Sequence, residues 1–168
     1  MSELKKLIEK YNNAEDDDER ANIIQADFGF LEDNAKWNFL LPLIEKENYD
    51  LIKVEIYKVI ETSDFTKLDV VSIKDKIIKA LKIETDELVK QFGFMSLMWN
   101  FNHFDDVLDF CLLTIEDENE DLDVRYNAFG VIEKSENLVK IISLKQRLLS
   151  IKEFNKYIKS FLLEKEIP

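Results

Sequence analysis

The residues of this chain that could do chemistry are mostly acidic, and they cluster. Glu116-Asp117-Glu118-Asn119-Glu120-Asp121-Leu122-Asp123 sets oxygen ligands at alternate positions, as the start of an EF-hand calcium loop does. The run departs from such a loop where its geometry is most demanding. Leu122 stands where the sharp turn needs glycine, and Ala128 where a bidentate glutamate would close the ion's shell. It reads instead as a solvated turn between helices and, together with Glu15-Asp16-Asp17-Asp18-Glu19, as an acidic contact surface. There is one histidine, His103, and one cysteine, Cys111, which excludes a two-histidine metal site, a cysteine cluster and an intramolecular disulfide. Cys111 lies among Phe110, Leu112 and Leu113, the setting of a buried, inert thiol. Nucleophile elbows, phosphate-cradling glycine loops and dinucleotide fingerprints are missing. The carboxylates are too numerous for any pair to mark acid–base catalysis. No catalytic residue, metal or cofactor is expected.

Composition shows what kind of body carries these residues. The chain has 168 residues, with twelve Phe, three Gly and two Pro. That is apolar enough to fold, and too poor in turn formers for a sandwich or barrel. The net charge is −12, unevenly spread, because residues 134–168 carry a balance of +4 and residues 1–133 carry −16. Such acidity argues against binding DNA or RNA, where cationic contacts to phosphate dominate affinity, and favours a basic protein partner. The start, Met-Ser-Glu-Leu-Lys-Lys, has no apolar signal core, and no run approaches the ~20 residues of a membrane span. The expected location is the cytoplasm, away from membranes.

Apolar periodicity predicts helices at 2–12, 18–32, 35–46, 50–61, 68–83, 86–102, 105–116, 122–133, 138–149 and 151–164. Asp50, Asp86 and Asp121 or Asp123 stand where N-cap oxygens would accept free backbone N–H groups. No linker-like stretch interrupts them, so one domain over 1–168 is expected. Aligning Ile52-Lys53, Val89-Lys90 and Val124-Arg125, which are 37 and 35 residues apart, exposes an internal repeat. In each pair an Asp stands three or four residues before the base. Ile56, Gly93 and Ala128 come next in register, then the aromatics Tyr57, Phe94 and Phe129, then Ile60, Leu97 and Ile132. These offsets write one helical stripe three times, each copy preceded by another apolar helix.

The pattern resembles the HEAT repeat family. Leu40-Leu41-Pro42-Leu43-Ile44 followed by Asp50 to Ile60 looks like a HEAT first helix and its second. Asp123-Val124-Arg125-Tyr126-Asn127-Ala128 looks like the family's Asp-Val-Arg-x-x-Ala core. Lys replaces Arg in two repeats, and one first helix alone has the Pro. The resemblance covers residues 37–133, with capping helices on either side. It implies an all-α, right-handed α-α superhelix, a solenoid of about five helical hairpins.

In that family the second helix of each pair lines the concave face. Here this would present Leu88, Phe92, Met95, Trp99 and Asn102, flanked by Asp123, Tyr126, Asn127, Gly130 and Lys134 on one side and Leu51, Val54, Glu55 and Lys58 on the other. Either the terminal helices cover this stripe as core or it stands open to a partner. The recurring Lys53, Lys90 and Arg125 suggest a structural ladder to carboxylates between repeats, rather than a basic track for an anion. The expected groove is Phe92, Met95, Trp99, Asn102, Tyr126 and Asn127, with an acidic rim of Asp17, Asp18, Glu55, Glu118, Glu120 and Asp121. A small acidic chain of this kind resembles bacterial immunity proteins of polymorphic or contact-dependent toxin systems. That resemblance implies a non-catalytic protein that neutralises a toxin, with a basic toxin domain as partner. The alternative is a scaffold or regulatory adaptor that binds a peptide or helix of a host protein.

Overall fold

In the computed structural model, which describes residues 2–167, the chain is all-α, and no strand occurs among those residues. The helices are α1 (Glu3–Asn12), α2 (Asp17–Ile23), α3 (Lys36–Lys46), α4 (Asp50–Thr62), α5 (Val70–Ile83), α6 (Glu87–Leu97), α7 (Asp105–Glu116), α8 (Leu122–Lys134), α9 (Leu138–Ser150) and α10 (Asn155–Glu164). A π-helical turn, Ile24–Phe28, extends α2 and is closed by the Gly29 N–H donating to the Ile24 carbonyl at 3.0 Å.

Side-chain oxygens start many of these helices. Asp16, Asp69, Asp86 and Asn137 each accept a hydrogen bond from the backbone N–H three residues on, and Asp121 accepts from both Asp123 and Val124. Asp50 is a correction. Tyr49 takes the cap position, and the Asp50 carboxylate turns inside the helix to Lys53 at 3.4 Å.

The chain divides into two compact units, residues 1–96 and 97–168. In the first, α1 packs on α2, α2 and its π turn pack on α4, and α3 packs on both α4 and α5. In the second, α7 packs on α8 and α9, and α9 packs on α10.

The repeated stripe is core at every position. Ile52, Val89 and Val124 are fully buried, as are Ile60, Leu97 and Ile132, and the aromatics Tyr57, Phe94 and Phe129 are nearly so. Each such aliphatic side chain contributes about 1.5–3 kcal/mol by leaving water. Gly93 completes its copy by lacking a side chain, since a Cβ there would lie 2.3 Å from Leu81 Cδ2 on α5. The two helices approach too closely for alanine without moving Leu81.

A second periodic feature lies in the turns. Glu47 and Glu84, which follow α3 and α5, each fold one carboxylate oxygen back onto the next two backbone N–H groups. The other oxygen takes a donor from elsewhere in the first unit: Tyr11 Oη–H at 3.2 Å for Glu47, Lys53 Nζ at 2.8 Å for Glu84.

Three boundaries differ from the periodicity by more than three residues. The second helix stops at its π turn because Lys36, from the start of α3, donates to the carbonyls of Phe28 and Leu31 at 3.0 and 2.7 Å, closing the end. Helix α6 ends at Leu97 rather than 102, where the Asn102 amide donates to the Met98 carbonyl at 2.5 Å and competes with helix continuation. Helix α10 starts at Asn155 rather than 151, with the Asn155 amide tied back to the Leu149 carbonyl.

Candidate partner-binding surface

The residues expected to form one groove are divided between the two units: Phe92 and Met95 belong to the first, Trp99, Asn102, Tyr126 and Asn127 to the second. Each unit carries a surface of its own.

In the first unit, Phe92 and Met95 are half-buried on α6, and Leu88, one turn before Phe92, is exposed. Helix α4 brings Lys58 to Phe92, with Glu55 and Leu51 on the preceding turns of the same helix. The Lys58 ammonium lies 4.9 Å from the Phe92 ring centre and donates to Glu55 Oε1 at 2.7 Å. Glu55, expected at an exposed rim, is buried at 6% exposure, and its Oε2 has no hydrogen-bond partner among the described residues. At the start of α2 the acidic run is partly spoken for. Asp17 pairs with Arg20 at 3.0 Å, and Asp18 accepts the Tyr49 hydroxyl at 2.5 Å. Three carboxylates in the first turn of α2 also suit its helix dipole.

In the second unit, aromatic side chains reach solvent. Trp99 is 59% exposed, Tyr157 51% and Tyr126 42%. The Tyr126 ring meets Tyr157 edge-on at 5.4 Å and tilts against Phe154 at 5.5 Å. The hydrogen bond to the Tyr157 hydroxyl, and then burial, raise the Tyr126 phenol above its ordinary pKa. Gly130 lets the Met98 thioether approach α8, where a Cβ would lie 2.7 Å from the Met98 methyl. The Asn102 and Asn127 amides donate to the Met98 and Asp123 carbonyls, so their N–H groups are engaged locally.

The acidic turn between α7 and α8 is built from its own carboxylates. Asp117 accepts from the Asn119 backbone, Glu120 from Asp121, and Asp121 caps α8. Glu118 is exposed at its tip. Glu116, just before it, forms a two-pronged pair with Arg147 of α9. Among the described residues no three His, Cys, Asp or Glu side chains are grouped to hold a metal ion.

Two of the repeat's three basic residues, Lys53 and Arg125, are turned to partners within the fold. Lys53 joins Asp50 and Glu84, and Arg125 Nε–H donates to the Ile115 carbonyl at 2.9 Å with its guanidinium 5.3 Å from the Phe154 ring. His103 is exposed, its ring against Phe104 at 4.1 Å. Cys111 is fully buried, and burial pushes its thiol pKa upward, away from the reactive thiolate.

A polar cavity of about 420 Å³ opens in the first unit beside Lys36, Trp37, Thr62, Ser63 and Lys67. Burial lowers the Lys36 pKa, but its ammonium serves as a clasp on the Phe28 and Leu31 carbonyls.

Sequence reasoning missed Tyr157, because the last hairpin does not follow the repeat, and missed the bond from Lys58 to Glu55, which links adjacent turns of one helix on a stripe read for its apolar members. No helix among the described residues is long and apolar enough to cross a membrane. Comparisons with protein-family models, curated proteins and solved structures find nothing that matches this chain.

Proposed function

We propose that this chain is a non-catalytic protein-binding module, and that its role is that of a bacterial immunity protein held against a basic toxin domain. The observation that carries the reading is the solvent-facing aromatic set Trp99, Tyr126 and Tyr157. Trp and Tyr anchor binding energy at interfaces out of proportion to their number. The net charge of −12 would speed capture of a basic partner. The solenoid is part of the proposal: about five HEAT-like hairpins stack as a right-handed superhelix. Contacts of α3 with α5 and of α2 with α4 in the first unit, and of α7 with α9 in the second, support it.

The test is capture from the native cytoplasm by the wild-type chain and two variants, with the retained protein identified. A toxin domain retained by the wild type is expected. It should be lost with Trp99→Ala plus Tyr126→Ala, and weakened by neutralising Glu118, Glu120 and Asp121 or by raising salt. A host protein that depends on the aromatics and ignores the acidic turn would favour the adaptor reading. Retention unaffected by either variant would refute both.

A further inference from the structure

We propose that Glu55 is the receptor for an arginine side chain of a protein partner, which displaces Lys58 and takes both carboxylate oxygens. This rests on the protein-binding reading above and names the chemistry one part of that surface selects. Buried carboxylates are ordinarily satisfied at both oxygens. Glu55 is 6% exposed, yet only Oε1 has a partner, the Lys58 ammonium at 2.7 Å, while Oε2 has none among the described residues. One ammonium is a point donor and occupies one oxygen; a guanidinium is a planar fork that fits two.

The surroundings suit the same occupant. The Phe92 ring already receives the Lys58 cation on its face at 4.9 Å and would receive a guanidinium there. Leu51, one turn before Glu55, and Leu88, one turn before Phe92, are both exposed and offer apolar contact to an arginine stem. Lys58 is an exchangeable cover: its side chain is 37% exposed, and an i,i+3 pair at a surface is easily opened. The body's net charge of −12 favours a basic visitor.

The probes are blocked Gly-Arg-Gly, Gly-Lys-Gly and Gly-citrulline-Gly peptides, titrated into the full chain and followed by NMR at the Glu55 carboxylate carbon and the Phe92 ring. The arginine peptide should give saturable shifts at both, the lysine peptide at least tenfold weaker ones, and citrulline none. Glu55→Gln should abolish the response. Lys58→Met, which removes the competing cation, should tighten arginine binding several-fold and needs no change at the buried residue. Equal response to arginine and citrulline, a response that persists in Glu55→Gln, or weaker binding in Lys58→Met would each overturn the proposal. If these arms fail while capture still depends on Trp99 and Tyr126, the receptor role of Glu55 falls and the protein-binding function stands.

Discussion

Lys53 and Arg125 occupy the same place in two copies of the repeat, one in each compact unit, and they solve the same problem differently. Lys53 is 12% exposed at its side chain and bridges two carboxylates, Asp50 at 3.4 Å and Glu84 at 2.8 Å. Burial alone would lower its pKa, but Glu84 and then Asp50 outweigh that and hold it above the ordinary lysine value. Arg125 is 5% exposed at its side chain, gives Nε–H to a main-chain carbonyl, lies over Phe154, and meets Glu153 only at 3.6 Å. At this position the compact ammonium takes two carboxylates, whereas the flat guanidinium rests on a carbonyl and a ring. One repeat position thus supports an ion-pair link in the first unit and a stacked, carbonyl-bound link in the second.

The sharpest way to break this comparison is Arg125→Ala. It strips the Ile115 carbonyl of its donor and the Phe154 ring of its cover, and should destabilise the fold by about 2–4 kcal/mol in denaturant unfolding. A loss below 1 kcal/mol would mean the guanidinium is ornamental. The reciprocal swaps sharpen it: Arg125→Lys should cost about 2 kcal/mol, since an ammonium cannot reproduce both contacts, whereas Lys53→Arg should change stability by less than about 1 kcal/mol. Equal costs would erase the distinction.

Glu84→Gln tests the ion-pair side by pH. Burial would raise the Glu84 pKa, but hydrogen bonds from the Asp86 backbone, from Lys53 and from the Thr85 backbone hold it below the ordinary carboxylate value. A depressed folded pKa gives stability that is fully present above the unfolded value, about 4.3, and lost as pH falls through the folded one. Wild type should therefore exceed the variant by about 1.5–3 kcal/mol at pH 7, and the gap should shrink below pH ~4. A gap independent of pH would place the effect elsewhere. The smallest expected effect on folding is Trp99→Ala, within about 0.5 kcal/mol, because most of that ring is already in water. A large loss would show Trp99 to be core and unfit as a binding anchor.

The helices and the buried stripe were legible because periodicity and the Ile52, Val89, Val124 register are local properties of the chain. So were Asp86 and Asp121 as caps. The turn carboxylates Glu47 and Glu84 carry the same register but stand among many acids, and nothing marks them until Tyr11 and Lys53 arrive from distant positions. Glu55 illustrates the limit for the candidate surface. Its type suggested a rim, while its depth depends on Lys58 and neighbouring helices that no spacing rule specifies. Periodicity carries α6 five residues past its end, because a run of apolar and aromatic residues hides the backbone-seeking Asn102.

Cys111 has a practical consequence. As the chain's single thiol, fully enclosed within the second unit, it is a built-in clock for that unit's breathing. A thiol-trapping reagent can mark it only in molecules that have transiently come apart around α7, so the labelling rate reads the free energy of that excursion without any engineered probe. Slower labelling once a partner is bound would show which half of the molecule the partner holds shut.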